Sequence, residues 1–170
     1  MKIRVTDIRD EGLHIHSHMD PEWLENVPEL SSGEEESGLT SKIDIDIELT
    51  KVLREVTVLG DVSFSMVVPC SRCLEPVKLE ISIPIRLLLS PSDKVKDDED
   101  VDHETYVGEE VDLDDYLMEQ IAMSLPVKVV CDTECKGLCP KCGTNLNKDT
   151  CDCEKEWVDP RFAALKNLKI

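Results

Sequence analysis

The stretch EVTVLGDVSFSMVVPCSRCLEPVKLEISIPIRLLL, residues 55–89, contains three runs in which apolar and polar residues alternate. Alternation with a period of two is typical of β-strands that bury one face. The Gly-Asp pair at 60–61 separates the first two runs and predicts a tight hairpin turn, because glycine adopts the backbone angles that such turns require. Cys70 and Cys73 separate the second and third runs, so the CSRC sequence is predicted at the tip of a hairpin. Pro84 interrupts the third run and predicts an edge or a bend at that point.

The sequence around this stretch predicts further strands and one helix. Strand-like alternation is present in residues 2–8 and again in residues 43–49. The acidic stretch 92–110 is predicted to be a solvated linker. From Asp112 the apolar residues follow helical spacing, which predicts one amphipathic helix near 112–125 with Asp112 as its N-cap and its apolar stripe on the core.

Two shorter elements are predicted after that helix. The sequence PVKVV at 126–130 is typical of a short strand, which would lead directly to Cys131. The pair Asp-Pro at 159–160 predicts the start of a short C-terminal helix, because proline suits the first helical position.

The chain is strongly and unevenly acidic. Its 170 residues include 19 Lys and Arg against 37 Asp and Glu, a net charge of −18. Residues 1–127 carry 11 Lys and Arg against 30 Asp and Glu, whereas residues 128–170 carry 8 against 7. This charge disfavours a protein that coats nucleic acid by neutralising phosphates. The charge of the acidic part indicates a basic protein partner, or it serves solubility alone. Any contact with RNA is expected at the cysteine-rich end.

The sequence has no feature of a secreted or membrane-anchored protein. Its start, MKIRVTDIRDEG, contains scattered charges, and no later segment has the apolar length of a membrane span. We therefore expect a cytoplasmic protein without a membrane partner. Because cytoplasmic thiols are kept reduced, the eight cysteines indicate metal ligands in preference to disulfides. Charged residues make up 33% of the chain and Gln120 is its one glutamine, a hyperthermophile-like composition that keeps disulfides open as a minor alternative.

The cysteines occur in closely spaced groups that are typical of zinc sites. They are Cys70, Cys73, Cys131, Cys135, Cys139, Cys142, Cys151 and Cys153. A tetrahedral zinc ion needs sulfurs about 2.3 Å away, and a two-residue spacer in a tight turn directs both thiolates to one point. Gly143, directly after Cys142, lets backbone N–H groups close around a ligand sulfur. Eight cysteines therefore predict two Zn²⁺ ions with four cysteines each.

Loop entropy indicates how the eight cysteines divide between two sites. A local site would require little loop closure, and it consists of Cys139, Cys142, Cys151 and Cys153. The remaining set would staple the predicted hairpin tip to the segment after the helix, and it consists of Cys70, Cys73, Cys131 and Cys135. The alternative division places Cys135 in the local site and Cys151 in the staple.

These patterns together predict an α+β fold. It combines a mainly antiparallel β-sheet domain, one core amphipathic helix and a C-terminal cysteine-rich zinc-binding module. We place the acidic, strand-rich domain with its helix at 1–130. The zinc module with its short C-terminal helix is placed at 131–170, stapled to Cys70 and Cys73.

Other chemistry fits the sequence less well. Iron–sulfur clusters also use cysteine thiolates, but these spacings differ from the common ferredoxin runs. A catalytic zinc keeps an open coordination position, so complete sulfur ligation argues against hydrolysis. His14, His16 and His18 alternate in LHIHSH and are predicted to share one strand face, either as exposed histidines or as a metal site. We predict no catalytic residue and no small-molecule substrate.

Several motifs, in order, resemble the YceD family of bacteria, named for accumulation of the large ribosomal RNA subunit. They are PCSRCLEPV, an acidic stretch, DLDDYLMEQIAMSLPV, CKGLCPKCGTNLNKDTCDC and DPRFAALKNL, and together they cover roughly residues 40–170. The CxRC motif of the family falls on Cys70, Arg72 and Cys73. Its GLCPxCGxxLN signature falls on Gly137, Leu138, Cys139, Pro140, Cys142, Gly143, Leu146 and Asn147.

The resemblance implies a small non-enzymatic, zinc-binding factor required for accumulation of large-subunit (23S) ribosomal RNA and for assembly of the large ribosomal subunit. Together with the charge, it leads us to expect a basic ribosomal protein or assembly factor as partner of the acidic domain. The C-terminal module would contact ribosomal RNA or another protein. Two alternatives remain at this point: a zinc-ribbon adaptor between proteins, for instance in transcription, and a metalloenzyme that uses the histidine face.

Overall fold

The structure is a computed structural model that describes residues 1–24, 38–91 and 102–153, together with Arg161. Within these ranges the chain forms eight strands and one α-helix. They are β1 (Lys2–Arg4), β2 (Leu13–Met19), β3 (Gly38–Leu39), β4 (Ile43–Val52), β5 (Glu55–Pro69), β6 (Pro76–Pro91), β7 (Asp102–Tyr106), β8 (Glu110–Asp112) and α1 (Asp114–Ser124). The predicted C-terminal helix lies outside the described residues.

Six of the strands form one sheet. Its order is β2–β4–β5–β6–β7, and β3 pairs with the far end of β5. All pairings in it are antiparallel except that between β6 and β7. Strands β1 and β8 form a separate antiparallel pair. The predicted fold class, a mainly antiparallel β-sheet with one helix, is therefore confirmed.

One face of the sheet forms the core. Every second residue of β4 from Ile43 to Leu49 is fully buried, as the alternation of IDIDIEL predicts, and β5 and β6 bury most of their apolar residues on the same face. Helix α1 lies against β6 and contributes Tyr116, Leu117 and Ile121 to this core. Burial of one such side chain contributes about 1.5–3 kcal/mol, so the shared core accounts for the position of α1. The opposite face of β2, β4 and β5 carries mostly polar side chains.

The hairpin turn predicted at Gly60-Asp61 is wrong. Strand β5 continues through both residues, and Gly60 pairs with Ile47 on one side and with Ile85 on the other. The turn between β4 and β5 lies instead at residues 53–54, because Val52 pairs with Glu55. Two long neighbouring strands thus override the local preference of glycine for turns.

Close packing of strands explains the glycine at this position. A Cβ atom on Gly60 would lie 2.1 Å from the carbonyl oxygen of Asp46 and 2.7 Å from the Cα atom of Ile47. Both are backbone atoms of β4, so neither can move without shifting the strand. Gly60 therefore permits the close approach of β5 to β4 and does not form a turn.

Two other predictions about strands have different outcomes. Pro84 lies in a part of β6 that forms an edge of the sheet, because β7 pairs only with residues 87–91 of that strand. The edge prediction is confirmed for the described residues. Residues 92–101 of the solvated linker predicted at 92–110 lie outside the described residues, and the prediction is wrong for the rest, which forms β7 and the start of β8. Tyr106 accounts for the order of β7, since it is buried and its hydroxyl donates to the Arg54 carbonyl at 2.7 Å.

The helix begins two residues later than its predicted cap. Leu113 is the N-cap residue, and Asp112 ends β8. The carboxylate of Asp112 nevertheless accepts the backbone N–H of Asp114 at 3.1 Å, and this hydrogen bond lowers the pKa of that carboxyl group. No helix of the described part has the length and hydropathy of a membrane span.

The short strand predicted at 126–130 is wrong. This segment is irregular, and two hydrogen bonds attach it to the β5–β6 turn. The Ser71 N–H donates to the Val129 carbonyl at 2.8 Å, and the Val129 N–H donates to the Ser71 hydroxyl at 3.2 Å. One backbone and one side-chain hydrogen bond to a turn thus replace the strand ladder that the apolar residues suggested.

We predict that Gly60→Ala lowers the free energy of unfolding by more than about 2 kcal/mol, because the new methyl group collides with the backbone of β4. Urea unfolding of the metal-loaded protein measures this change. Gly108→Ala is the matched control, since Gly108 has a positive φ of 80° but no atom within 4 Å of an added Cβ. We expect the control to cost about 1 kcal/mol. Equal losses for both variants would refute the packing explanation.

Candidate metal centre

The turn between β5 and β6 positions the first two cysteines. Pro69 pairs with Pro76 at the base of the turn, and the Cys70 N–H donates to the Glu75 carbonyl at 2.8 Å. Cys70 and Cys73 are both buried on the inner side of this turn. The CSRC sequence therefore forms the tip of a hairpin, as the strand pattern predicts.

Four cysteines meet at this hairpin tip. We call this group the hairpin site, and it consists of Cys70, Cys73, Cys131 and Cys135. Its four sulfurs lie within 4.8 Å of one another. The Cys131 N–H donates to the Cys70 sulfur at 3.3 Å, so the backbone that supplies the third cysteine also contacts the first.

The remaining four cysteines form a second group within one loop. We call it the loop site, and it consists of Cys139, Cys142, Cys151 and Cys153. The Gly143 N–H donates to the Cys139 carbonyl at 2.9 Å, which closes a tight turn around the first pair. The Thr144 hydroxyl lies 3.1 Å from the Cys142 sulfur. The structure thus groups the cysteines by the first of the two predicted divisions and not by the alternative.

The sulfur geometry of the hairpin site fits a tetrahedral metal ion. Metal–sulfur bonds of about 2.3 Å in a tetrahedron place the sulfurs about 3.8 Å apart. In the structure the sulfurs of Cys70 and Cys135 are 3.9 Å apart, and those of Cys73 and Cys131 are 3.5 Å apart. A disulfide would need sulfurs about 2.05 Å apart, and all eight cysteines are free. Both groups are therefore positioned to bind a metal ion.

Hydrogen bonds lower the pKa of two thiols in each group, those of Cys70 and Cys135 and those of Cys139 and Cys142. Burial alone would raise the pKa of Cys70, but the backbone N–H groups of Arg72 and Cys131 outweigh it and lower that pKa to about 6. The Thr144 hydroxyl and backbone N–H lower the pKa of Cys142 to about 6. Neighbouring thiols have the opposite effect on Cys153 and raise its pKa to about 12. A metal ion would bind the readily ionised thiols of each group and displace the protons of the remaining ones.

Arg72 joins the hairpin tip to the segment that carries Cys135. Its guanidinium Nη1 donates to the Cys135 carbonyl at 2.9 Å and to the Thr133 carbonyl at 3.3 Å. Its own carbonyl accepts the Leu138 N–H at 3.0 Å. A Cβ atom on Gly137 would lie 3.0 Å from this carbonyl oxygen, so glycine permits the approach. Sequence reasoning assigned Arg72 to a family motif without a role, and this positioning role was missed.

A second set of polar contacts joins the loop site to the hairpin site. Asn147 donates from Nδ2 to the Cys135 sulfur at 3.3 Å, and its Oδ1 accepts the Lys136 N–H at 2.7 Å. Glu75 accepts from Lys148 at 2.6 Å, and this contact lowers the pKa of the Glu75 carboxyl group. The asparagine near the end of the GLCPxCGxxLN signature therefore connects the two groups, which the sequence alone did not indicate.

The two groups differ in exposure. In the hairpin site three cysteines are buried and Cys131 is exposed. In the loop site only Cys139 is buried, and Cys142 is exposed. A cavity of about 260 Å³ borders the loop site and is lined by Lys136, Pro140 and Leu146 among others. Solvent and chelators therefore reach the loop site more readily.

The three predicted histidines lie on β2, and β4 separates this strand from β5, which leads to the hairpin site. They occupy alternate positions of β2 on its exposed face, as the LHIHSH pattern predicts. The sequence indicated no carboxylates for them. The structure supplies two on the neighbouring strand β4, Asp44 and Asp46.

Comparisons with known proteins identify relatives of the chain. The family model described as Large ribosomal RNA subunit accumulation protein YceD matches residues 58–169, which include all eight cysteines. An uncharacterised protein of Mycobacterium tuberculosis is 32% identical over 128 residues, which cover 74% of this chain and 61% of that protein. The uncharacterised protein YlbN of Bacillus subtilis is 30% identical over 126 residues, 72% of this chain and 69% of YlbN.

A named relative matches a shorter stretch. Large ribosomal RNA subunit accumulation protein YCED homolog 1, chloroplastic, of Arabidopsis thaliana is 38% identical over 60 residues, 35% of this chain and 19% of that protein. The chain spans about three fifths of the length of the mycobacterial relatives, where the match covers 61%. No solved structure matches the chain.

We predict that Arg72→Met lowers the free energy of unfolding of the metal-loaded protein by about 1–2 kcal/mol and speeds metal loss to a chelator, because two carbonyl acceptors lose their donor. Urea unfolding and a colorimetric chelator measure the two effects. Arg72→Lys should give values of both quantities between those of the wild type and Arg72→Met, since an ammonium group lacks the planar fork of donors. Arg86→Met, at an exposed position of β6, is the control and should change neither quantity. Equal effects at both positions would contradict the role of Arg72.

Proposed function

Because this chain belongs to the YceD family of large ribosomal RNA subunit accumulation proteins, we propose that it is a non-enzymatic, zinc-binding factor required for accumulation of large-subunit (23S) ribosomal RNA. The observation that carries the proposal is the family match over residues 58–169, which contains both four-cysteine groups. Large-subunit assembly is the process in which such a factor acts, and we place it in the cytoplasm.

Zinc is the metal that the donor set favours. Four thiolates in a tetrahedral arrangement suit zinc, and a site without an open position serves structure in preference to catalysis. We assign all eight cysteines as ligands, four to each ion. Such a site supplies about 10–16 kcal/mol in isolated zinc modules, so its role here is to fix the segment after α1 on the hairpin tip.

A basic protein is the partner that the electrostatics favour. Four carboxylates cluster near β7 and α1, and we call this cluster the acidic ridge: Asp102, Glu104, Asp115 and Glu119. Partial burial raises the pKa of Glu104, and the three other carboxylates raise it further. Repulsion among these groups is relieved when a surface of opposite charge covers them. A basic ribosomal protein or assembly factor supplies such a surface.

Ribosomal RNA is a partner for the other end of the chain. Residues 128–170 carry 8 Lys and Arg against 7 Asp and Glu, so they lack the strong negative charge of the rest. Phosphates are repelled less there than at the acidic ridge. We therefore assign any RNA contact to the cysteine-rich part.

Depletion of the protein from its cells tests the proposed function. We expect the ratio of large-subunit to small-subunit ribosomal RNA to fall, and wild-type protein to restore it. Arg86→Met should restore it as well, whereas Cys70→Ser should fail because the hairpin site loses a ligand. Quantification of both RNAs gives the answer. An unchanged ratio after depletion would overturn the proposal and favour an adaptor in another process.

A second test concerns the partner. The variant Glu104→Gln/Glu119→Gln removes two charges from the acidic ridge, and it should retain several-fold less of the basic ribosomal proteins that co-purify with the wild type after nuclease treatment. The control Asp10→Asn/Glu11→Gln removes two charges from an exposed turn and should retain as much as the wild type. Mass spectrometry of the retained proteins measures the difference. Complete loss of the wild-type complex on nuclease treatment would instead identify RNA as the contact.

A further inference from the structure

The exposed face of the sheet combines imidazoles and carboxylates in register. Strand β2 pairs antiparallel with β4, so His14 lies opposite Glu48, His16 opposite Asp46 and His18 opposite Asp44. All three histidines point to solvent, away from the core. Directly opposed side chains on one sheet face have Cβ atoms about 5 Å apart, within reach of one another.

The carboxylate of Asp46 lies between two of these imidazoles. His14 Nε2 is 2.6 Å from Asp46 Oδ1, and His16 Nδ1 is 3.7 Å from Asp46 Oδ2. The three side chains are 63%, 56% and 57% exposed in the order His14, His16 and Asp46. Two nitrogen donors and one carboxylate thus lie side by side on the exposed face, with room to adjust their torsion angles. Their ligand atoms are not all within 4.8 Å of one another, as those of each cysteine group are, so a shared ion requires the rings to turn.

From this juxtaposition we propose that His14, His16 and Asp46 form a binding site for one divalent transition-metal ion, separate from the two cysteine groups. Two imidazoles and one carboxylate are ligands that zinc, nickel, copper and iron accept, whereas magnesium and calcium prefer oxygen ligands alone. Metal–nitrogen distances of about 2.0–2.1 Å require both rings to turn toward a shared ion. The ion takes the place of the hydrogen bond between His14 Nε2 and Asp46 Oδ1.

The surroundings of Asp46 favour a cation. A shallow depression of about 460 Å³ adjoins it and is lined by His14, Asp46, Glu48, Leu59, Gly60 and Asp61. Glu48 and Asp61 add negative potential at the mouth of this depression. The missing side chain of Gly60 keeps β5 close to the Asp46 carbonyl, so the backbone that carries the carboxylate is held in place.

His18 has a different role, that of a positioning residue. Its Nδ1 contacts the carboxylate of Asp44, which draws this ring toward β4. The ring packs edge-on against His16, with centroids 4.8 Å apart. His18 therefore orients His16 without taking part in the ligand set, and its substitution should weaken metal binding less than loss of a ligand does.

Calorimetric titration of the full chain with Ni²⁺, after its cysteine groups have been loaded with zinc, tests the site. We expect one additional ion per chain. His14→Gln and His16→Gln should each weaken its binding at least tenfold, Asp46→Asn several-fold, and His18→Gln less than either histidine ligand. His103→Gln is the control, because this fourth histidine lies on β7 with its Nε2 at 3.0 Å from the Ser90 hydroxyl, and it should bind as the wild type does.

A second readout separates ligand loss from misfolding. In ¹⁵N spectra of the imidazoles, paramagnetic Ni²⁺ should broaden the signals of His14 and His16 and leave that of His103 sharp. Zinc content of the cysteine groups should be the same in every variant. The proposal is overturned if the wild type takes up no additional ion, if His103→Gln weakens binding as much as His14→Gln, or if Asp46→Asn binds Ni²⁺ as tightly as the wild type.

Discussion

Attachment of the C-terminal segment to the tip of the β5–β6 hairpin is the constraint on which the cysteine-rich part depends. The buried cluster there contains Cys70, Cys73 and Cys135, with Val77, Val130 and Leu138 only partly buried around them. So few apolar groups cannot offset the conformational entropy of ordering that many residues. Hydrogen bonds from Arg72 and the four sulfurs therefore decide whether the segment is ordered. An ion bound there contributes free energy comparable to the whole stability of a typical domain, about 5–15 kcal/mol.

The sheet shows which local patterns survive in the folded chain. The alternation in residues 43–49 predicts the buried face of β4 correctly, because that strand is packed on one face and open on the other. Gly60 misled the prediction, since its local preference for turns was weighed without the strands on both sides. The apolar residues Val58 and Val62 keep the same two-residue period on both sides of Gly60, which already indicated one uninterrupted strand. The acidic composition of β7 hid a strand that forms through the parallel pairing with β6 and through Tyr106, contacts that no local pattern can reveal.

The grouping of the cysteines in the candidate site was predictable from the sequence, whereas the side chains that position these cysteines were not. Spacing alone groups Cys139 with Cys142, and the entropy of loop closure correctly separates the local set from the distant one. Arg72 and Asn147 were not predicted as supports, because their partners are a carbonyl 63 residues away and a sulfur 12 residues away. The carboxylates opposite the histidines were missed for the same reason: strand register, which depends on the whole sheet, brings Asp46 to His16.

The sequence separation across the hairpin site also has a consequence for synthesis of the chain. Cys70 contacts Cys131, which is 61 residues later. At translation rates of 5–20 residues per second, about 3–12 s pass between the appearance of these two residues. During that interval the β5–β6 hairpin can form, yet its tip carries only two of the four cysteines of the hairpin site. If the hairpin site binds a metal ion as proposed, the hairpin has to wait with two free thiols for the other two cysteines, and the supply of metal and the redox state of the compartment then matter already during translation.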